Sequence, residues 1–375
     1  MAFQMPTANT APTPFTGTLS RNEVFASIYN MIISQHVFSD LIKGTYGNLA
    51  DLFRVDGSEY GDSKLFYSLK LGKVVDWTGD EEAANLLALN RPADPACQVV
   101  KLDTFKMVWL TVDSFLSKRA WGTPGLFSQF NSVVLATMRD TKRVFEAKTM
   151  NTFIGTCETN VGKQTKTITL AAGGTEEGNR LRAQTITKEL ADLMIDMKDV
   201  NTSYNDYGYE RSYDENELVY IWNADYVNEI TKLDLPTIFH TDELKKNFSK
   251  YVLPAHYFGT VNGTSITTSG ASNTNIRALD ERDIGGVHVR PGDLLPNNTT
   301  LVSNGKIVIP SYTVNSKVIC KITTKDAIQY MSGFQTETEF VNPRSKTENH
   351  YLIFGYSSLP QSRLKERPYI TVKEA

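Results

Sequence analysis

Apolar and polar positions recur with a helical period over the longest unbroken stretch of the chain, Leu126 to about Ile154. Phe127, Phe130, Val134, Met138, Thr141, Phe145 and Thr152 form one stripe, while Arg139, Asp140, Lys142, Arg143, Glu146 and Lys148 form a charged flank on the later turns. Thr123 stands where an N-cap belongs, Pro124 where a first-turn proline is tolerated, and Gly155 where a helix would close. A rise of about 1.5 Å per residue predicts a length of about 45 Å, the width of a small domain. The pattern reads as a beam across a subunit, and the plainer alternative is a buried helix of an α/β domain.

The pattern changes on both sides of this helix. A Pro/Thr/Ala-rich arm, Met1 to Gly17, has too few apolar positions to fold alone, and Ser20 with Glu23 makes a capping box for a helix carrying Val24, Ile28, Met31 and Ile32 that ends before Gly44. Glycine-punctuated turns then surround a strand expected at Lys64 to Leu71, with a short helix at Asp80 to Leu89. Gln98 to Val112 alternates as a long strand, with Val100, Leu102, Val108, Leu110 and Val112 on one face and Phe105, Met107 and Trp109 on the other. Apolar residues on both faces call for cover on both, and a second subunit is one source of it.

After the long helix, the sequence predicts a strand at Lys163 to Leu170, a helix at about Arg180 to Lys198, and a tyrosine-rich link (Tyr204, Tyr207, Tyr209, Tyr213) pinned to a surface. Leu218 to Trp222 reads as a buried strand that Asn223-Ala224-Asp225 turns directly into a helix from Tyr226 to Ile230. A helix near Asp242 to Phe248 follows, and then Gly259 to Asn275, the stretch whose composition best suits a flexible loop. The end reads as all strand: Lys306 to Ile309, Lys317 to Thr323, Phe334 to Val341, Tyr351 to Tyr356 and Tyr369 to Val372.

Composition narrows the function classes. The 375 residues are 41% hydrophobic, enough for two or three folded lobes, and the net charge of −3 argues against a protein built mainly to grip nucleic acid. Cys97, Cys157 and Cys320 are odd in number and far apart, so neither a disulfide framework nor a zinc spacing emerges, and they read as reduced thiols. No signal-peptide pattern and no apolar run of membrane-spanning length are present, so a soluble cytoplasmic product is expected.

No catalytic constellation is legible, so no catalytic, cofactor or metal residue is expected. His36, His240, His256, His288 and His350 show no HxxxH or HxH pairing, and His240 with His256 sharing a metal is a remote option beside two ordinary loop histidines. Ala171-Ala172-Gly173-Gly174 and Ile284-Gly285-Gly286 lack the phosphate-loop patterns and read as turns. Asp280, Glu281 and Asp283 read as a solvated polar loop, as does the basic run Arg363, Lys365 and Arg367 around Glu366.

The stretch Leu218 to Ile230, with Trp222, Asn223 and Tyr226 at its turn, resembles the strand-turn-helix of tailed-phage major capsid proteins with the Hong Kong 97-type fold, where Asn is often followed by Pro and here by Ala224. The order of segments is also similar, most of all to capsid proteins of small short-tailed phages. The resemblance implies an α+β fold: residues 1–45 as N-terminal arm and first helix, 46–120 as extended β-hairpin loop, 121–217 as spine helix and peripheral domain, 218–318 as axial domain, and 319–375 as strands returning to the peripheral domain. It implies a virion capsid protein, assembled in the host bacterial cytoplasm as pentamers and hexamers into an icosahedral or prolate shell. Its partners would be a separate scaffolding protein, a portal protein, and packaged DNA held by weak non-specific contact at the inner surface, with no membrane and no cofactor. Phe66, Tyr67, Trp77, Phe105 and Trp109 offer more aromatic surface than a hairpin can bury within itself, so they are the expected subunit contacts. A tail or head-decoration protein, and an enzyme with a site dispersed in sequence, are the two rival readings.

Overall fold

The computed structural model describes residues 48–57, 59–74, 89, 91–113, 124–231, 251–262, 266–267, 275–284, 286–296, 302–303, 306–307 and 310–375. The arm and first helix, the helices expected at Asp80 and Asp242, Thr123, Trp77, His36 and His240 lie outside these residues. The chain divides into two compact units. Among the described residues the smaller holds 108–113, 124–140 and 337–352, and the larger holds the remainder.

The long helix is Pro124–Thr156, 33 residues. It begins at the proline, as expected, but Gly155 does not close it. A Cβ at Gly155 would lie 2.1 Å from the carbonyl oxygen of Tyr257, so the glycine is needed for the close approach of the Pro254–Phe258 turn. The stripe is buried at Met138, Phe145 and Thr152, and so are Ala147, Met150 and Ile154, so the helix is covered on more than one side in its later turns. The charged flank is therefore partly buried. Glu146 is buried, 2.8 Å from Arg54 and 3.8 Å from Lys142, and Lys148 reaches Asp293 at 2.6 Å.

Against this helix end lies a five-stranded mixed sheet in the order Thr165–Ile168, Tyr369–Glu374, Val318–Thr324, Leu218–Asn223, Tyr251–Leu253. Both Leu218–Asn223 and Val318–Thr324 are buried at every position. Register sets Trp222 beside Cys320 and Tyr220 beside Ile322, and that face packs on Ile186, Leu190, Leu193 and Met197 of the helix Glu176–Lys198. The opposite face meets the end of the long helix: the Tyr369 hydroxyl donates to the Ile154 carbonyl at 2.8 Å, and the Lys321 ammonium donates to the Cys157 carbonyl at 2.9 Å.

The helix Glu176–Lys198 starts four residues before the expected Arg180, because Thr175 caps it by accepting from the Gly178 N–H. Glu176 and Glu177 in the first turn and Lys198 in the last suit the helix dipole. The tyrosine link is pinned: Tyr204 and Tyr213 are buried, their hydroxyls donating to the Asp196 carboxylate and the Glu366 carbonyl, and Tyr207 stacks on Tyr209.

A four-stranded sheet runs Gln335–Asn342, Thr347–Ser357, Ala96–Asp113, Ser63–Ser68. Two expectations for the later chain fail. The stretch read as a flexible loop opens on a strand, Gly259–Val261, paired with Ser311–Val314, and later contributes Ile266–Thr267 to another pairing. The C-terminal part is not all strand, since Leu359–Ser362 forms a short helix.

Candidate interaction surface

Ser63–Ser68 and Ala96–Asp113 pair antiparallel, with Phe66 opposite Gln98 and Lys64 opposite Val100 on one face, and Leu65 opposite Val99 and Tyr67 opposite Cys97 on the other. The first face is closed by the chain itself: Phe66 packs on a buried cluster of Val100, Leu102, Met331 and Leu364. The second face has no cover among the described residues. Leu65 is 56% exposed, Tyr67 64% and Val99 37%, and Cys97 is exposed beside them. Soluble monomers rarely leave contiguous apolar patches of this kind in water, and such patches mark interaction sites.

The root of this hairpin is fixed by polar contacts. The Gln98 side-chain amide donates to the carbonyls of Gln361 and Arg363 at 3.0 and 2.7 Å and accepts from the Lys365 N–H at 2.9 Å. Arg211 bridges Glu366 and the Leu69 carbonyl, and Ser68 donates to Glu366. The Arg363–Arg367 run is therefore not a solvated loop. Arg363 is paired with Asp206, Arg367 with Asp326, and Glu366 with Arg211. Burial alone would raise the Asp206 carboxyl, but hydrogen bonds from Arg363, Gln164 and Thr159 hold it below its ordinary value.

The expected contact residues separate into two groups. Phe66 and Phe105 are half-buried in their own chain, Phe105 stacking on Tyr60 with centroids 4.8 Å apart and meeting Phe334 edge-on at 5.6 Å. Phe105 thus leaves the face that alternation assigned to it with Met107 and Trp109. Tyr67 is exposed, and Trp109, in the smaller unit, is 69% exposed. Leu65, Val99, Leu69, Leu71 and Val74 are exposed apolar residues that an aromatic-only reading passed over, although the alternation of Leu65 with Phe66 was the signal for them.

At the fold motif, Trp222 and Asn223 are fully buried. The Asn223 amide donates to the Val318 carbonyl at 2.8 Å, and its oxygen accepts from the Asp225 N–H at 3.2 Å, which caps the helix Ala224–Thr231. Tyr226 donates to Glu374, tying that helix to the last strand. The side-chain oxygen supplies this cap with alanine, not proline, at position 224.

The ionisable groups are mostly engaged in structure. Burial raises the Glu146 carboxyl and lowers the Lys142 ammonium, while burial pushes Lys321 down to about 8. The acidic loop is exposed at Asp283 and held by internal pairs: Asp280 pairs with Arg282, and the two ring nitrogens of His288 lie 2.7 Å from Asp283 and Glu281, hydrogen bonds that raise the imidazole. A cleft of about 750 Å³ in the larger unit is lined by Phe145, Thr152, Phe153, Glu158, Asp280 and Arg363. Its Cys157 thiol is pushed up by burial, which disfavours the nucleophilic thiolate. No described helix is long and apolar enough to cross a membrane.

A family model described as Phi29-like phage major capsid protein matches residues 8–359. Among solved structures, a chain in the capsid structure of Staphylococcus phage Andhra aligns with a TM-score of 0.61 at 12% identity, covering 91% of this chain and 87% of that one. A chain in the structure of the head fiber and inner core protein of native bacteriophage P68 gives 0.60 at 11% identity with the same coverage. At these identities the likeness is one of fold. A comparison with curated proteins finds no match.

Proposed function

The chain belongs to the Phi29-like phage major capsid protein family, and from that premise we propose that it self-assembles as pentamers and hexamers into a closed icosahedral or prolate shell around phage DNA. Its architecture is then of the Hong Kong 97 type. Residues 1–45 are the arm and first helix, 46–120 the extended loop, 121–217 the spine and peripheral domain, 218–318 the axial domain, and 319–375 the returning strands. Assembly takes place in the host cytoplasm with a separate scaffolding protein and a portal protein, and the inner surface touches DNA weakly.

The observation that carries this reading is the hairpin face bearing Leu65, Tyr67 and Val99, apolar and without cover among the described residues. A shell subunit acts through its interfaces, so it needs apolar surface outside its own core. Tyr67 and Trp109 contact the neighbouring subunit, Phe66 and Phe105 brace the hairpin from behind, and Trp77 completes the aromatic set. Engagement of the ionisable groups in structural pairs, together with the family, supports a structural protein over an enzyme or a tail or decoration protein. The test is electron microscopy and sedimentation of the intact chain co-expressed with its phage scaffold. Closed particles are expected, and a chain that stayed monomeric at high concentration would overturn the reading.

A further inference from the structure

Beyond the hairpin face, the smaller unit carries a set of side chains with no structural employment. Glu339 lies on Gln335–Asn342, and Glu348 and His350 lie on the adjacent strand Thr347–Ser357. One ligand atom from each of the three falls within 4.8 Å of the others. Glu348 and His350 are two apart on one strand, so their side chains leave the same face, and Glu339 meets them there from the neighbouring strand.

The scaffold under them is fixed. The connecting turn is closed by the Lys346 N–H donating to the Asn342 carbonyl at 2.8 Å, and the Asn342 side chain accepts from the N–H groups of Arg344 and Ser345. Lys346 sits at φ 54°, the left-handed conformation that pins the turn. Several other acidic groups among the described residues have cationic partners: Glu337 has Arg139, Asp293 has Lys148, and His288 is shared by two acids. Among the described residues, the side chains of Glu339, Glu348 and His350 have no hydrogen bond or ion pair, so two carboxylates converge with an imidazole and no described cation balances them.

We propose that Glu339, Glu348 and His350 form a divalent transition-metal site, with zinc as the ion it takes most readily, that clamps the two strands of this hairpin together. One imidazole with two carboxylates suits a first-row transition ion, whereas calcium and magnesium take all-oxygen shells. Zinc binds nitrogen and carboxylate oxygen at about 2.0–2.2 Å, so ligands around one ion sit about 3–4 Å apart. The observed spacing, within 4.8 Å, is close to that range. Three protein ligands leave the fourth tetrahedral position to water.

The test uses the full chain stripped with a chelator and titrated with zinc by calorimetry, with cobalt absorbance as a second readout. The parent is expected to bind one equivalent, and Glu348→Gln and His350→Gln to weaken that binding at least about tenfold, as loss of a ligand demands. His288→Gln, at the other histidine–carboxylate cluster, is expected to leave it unchanged. Failure of the parent to bind zinc, or binding that survives both substitutions at parental strength, overturns the proposal. Should a variant misfold by circular dichroism, diethylpyrocarbonate labelling of the parent decides the matter: zinc slows modification of His350 but not of His288 if the site exists, and equal rates with and without zinc overturn it.

Discussion

The five-stranded sheet and the Ser63–Asp113 hairpin both carry apolar side chains on two faces, yet the chain covers them differently. Trp222, Tyr220 and Ile322 lie under the helix Glu176–Lys198, and the reverse face is closed by the end of the long helix through Tyr369 and Lys321. In the hairpin, Phe66, Val100 and Leu102 are covered, while Leu65, Tyr67 and Val99 are left to solvent. Burying a large apolar side chain is worth about 1.5–3 kcal/mol wherever the cover comes from. The sheet obtains that energy on folding, and no described residue supplies it to the hairpin face.

The strongest way to break this comparison is in the sheet. Trp222 is fully buried, so Trp222→Ala should cost about 3–5 kcal/mol by the usual scale for large-to-small core changes. Denaturant unfolding of the isolated subunit measures it, and a loss under about 1 kcal/mol would mean that the strand is not the centre of the core.

A second, smaller effect sharpens how the reverse face of the sheet is closed. Lys321 is fully buried, donates to the Cys157 carbonyl and the Thr371 hydroxyl, and is pushed by burial to about 8, below the ordinary lysine value. The folded chain therefore releases this proton at lower pH than the unfolded chain does, and stability attributable to Lys321 should rise with pH from about 8 towards the ordinary lysine range. Measured as the difference between the parent and Lys321→Met, the gain should be at most about 1.4 kcal/mol per pH unit. A flat or falling difference would show that the ammonium is better solvated than the packing implies.

The least effect on the subunit is expected where assembly should suffer most. Trp109 is 69% exposed, so Trp109→Ala should change subunit unfolding by no more than about 0.5 kcal/mol. Particle yield with the scaffold, read by sedimentation, should nonetheless fall. Equal losses of folding and assembly would erase the distinction between the two regions.

Much of the candidate surface was legible in the sequence because strand alternation is local. Val100, Leu102 and Val112 are buried and Met107 and Trp109 exposed, as two opposed faces require. Phe105 broke the rule because Tyr60 and Phe334, distant in sequence, gave it a better packing site than its alternation did. The Glu348–His350 pair carries no histidine-pair spacing, and its third member, Glu339, arrives only through the register of another strand.

The sequence by itself determined the long helix, the strand Leu218–Asn223 with its asparagine-capped turn and the two-faced apolar pattern, since each depends on spacing within one segment. Tertiary structure alone decided that Glu146 is a buried ion-pair member, that Gly155 serves a close contact instead of ending a helix, and that the Arg363–Arg367 run is paired. It also decided which apolar face has no cover among the described residues. Burial and charge pairing depend on which distant segments meet, and periodicity along one segment carries no information about its neighbours.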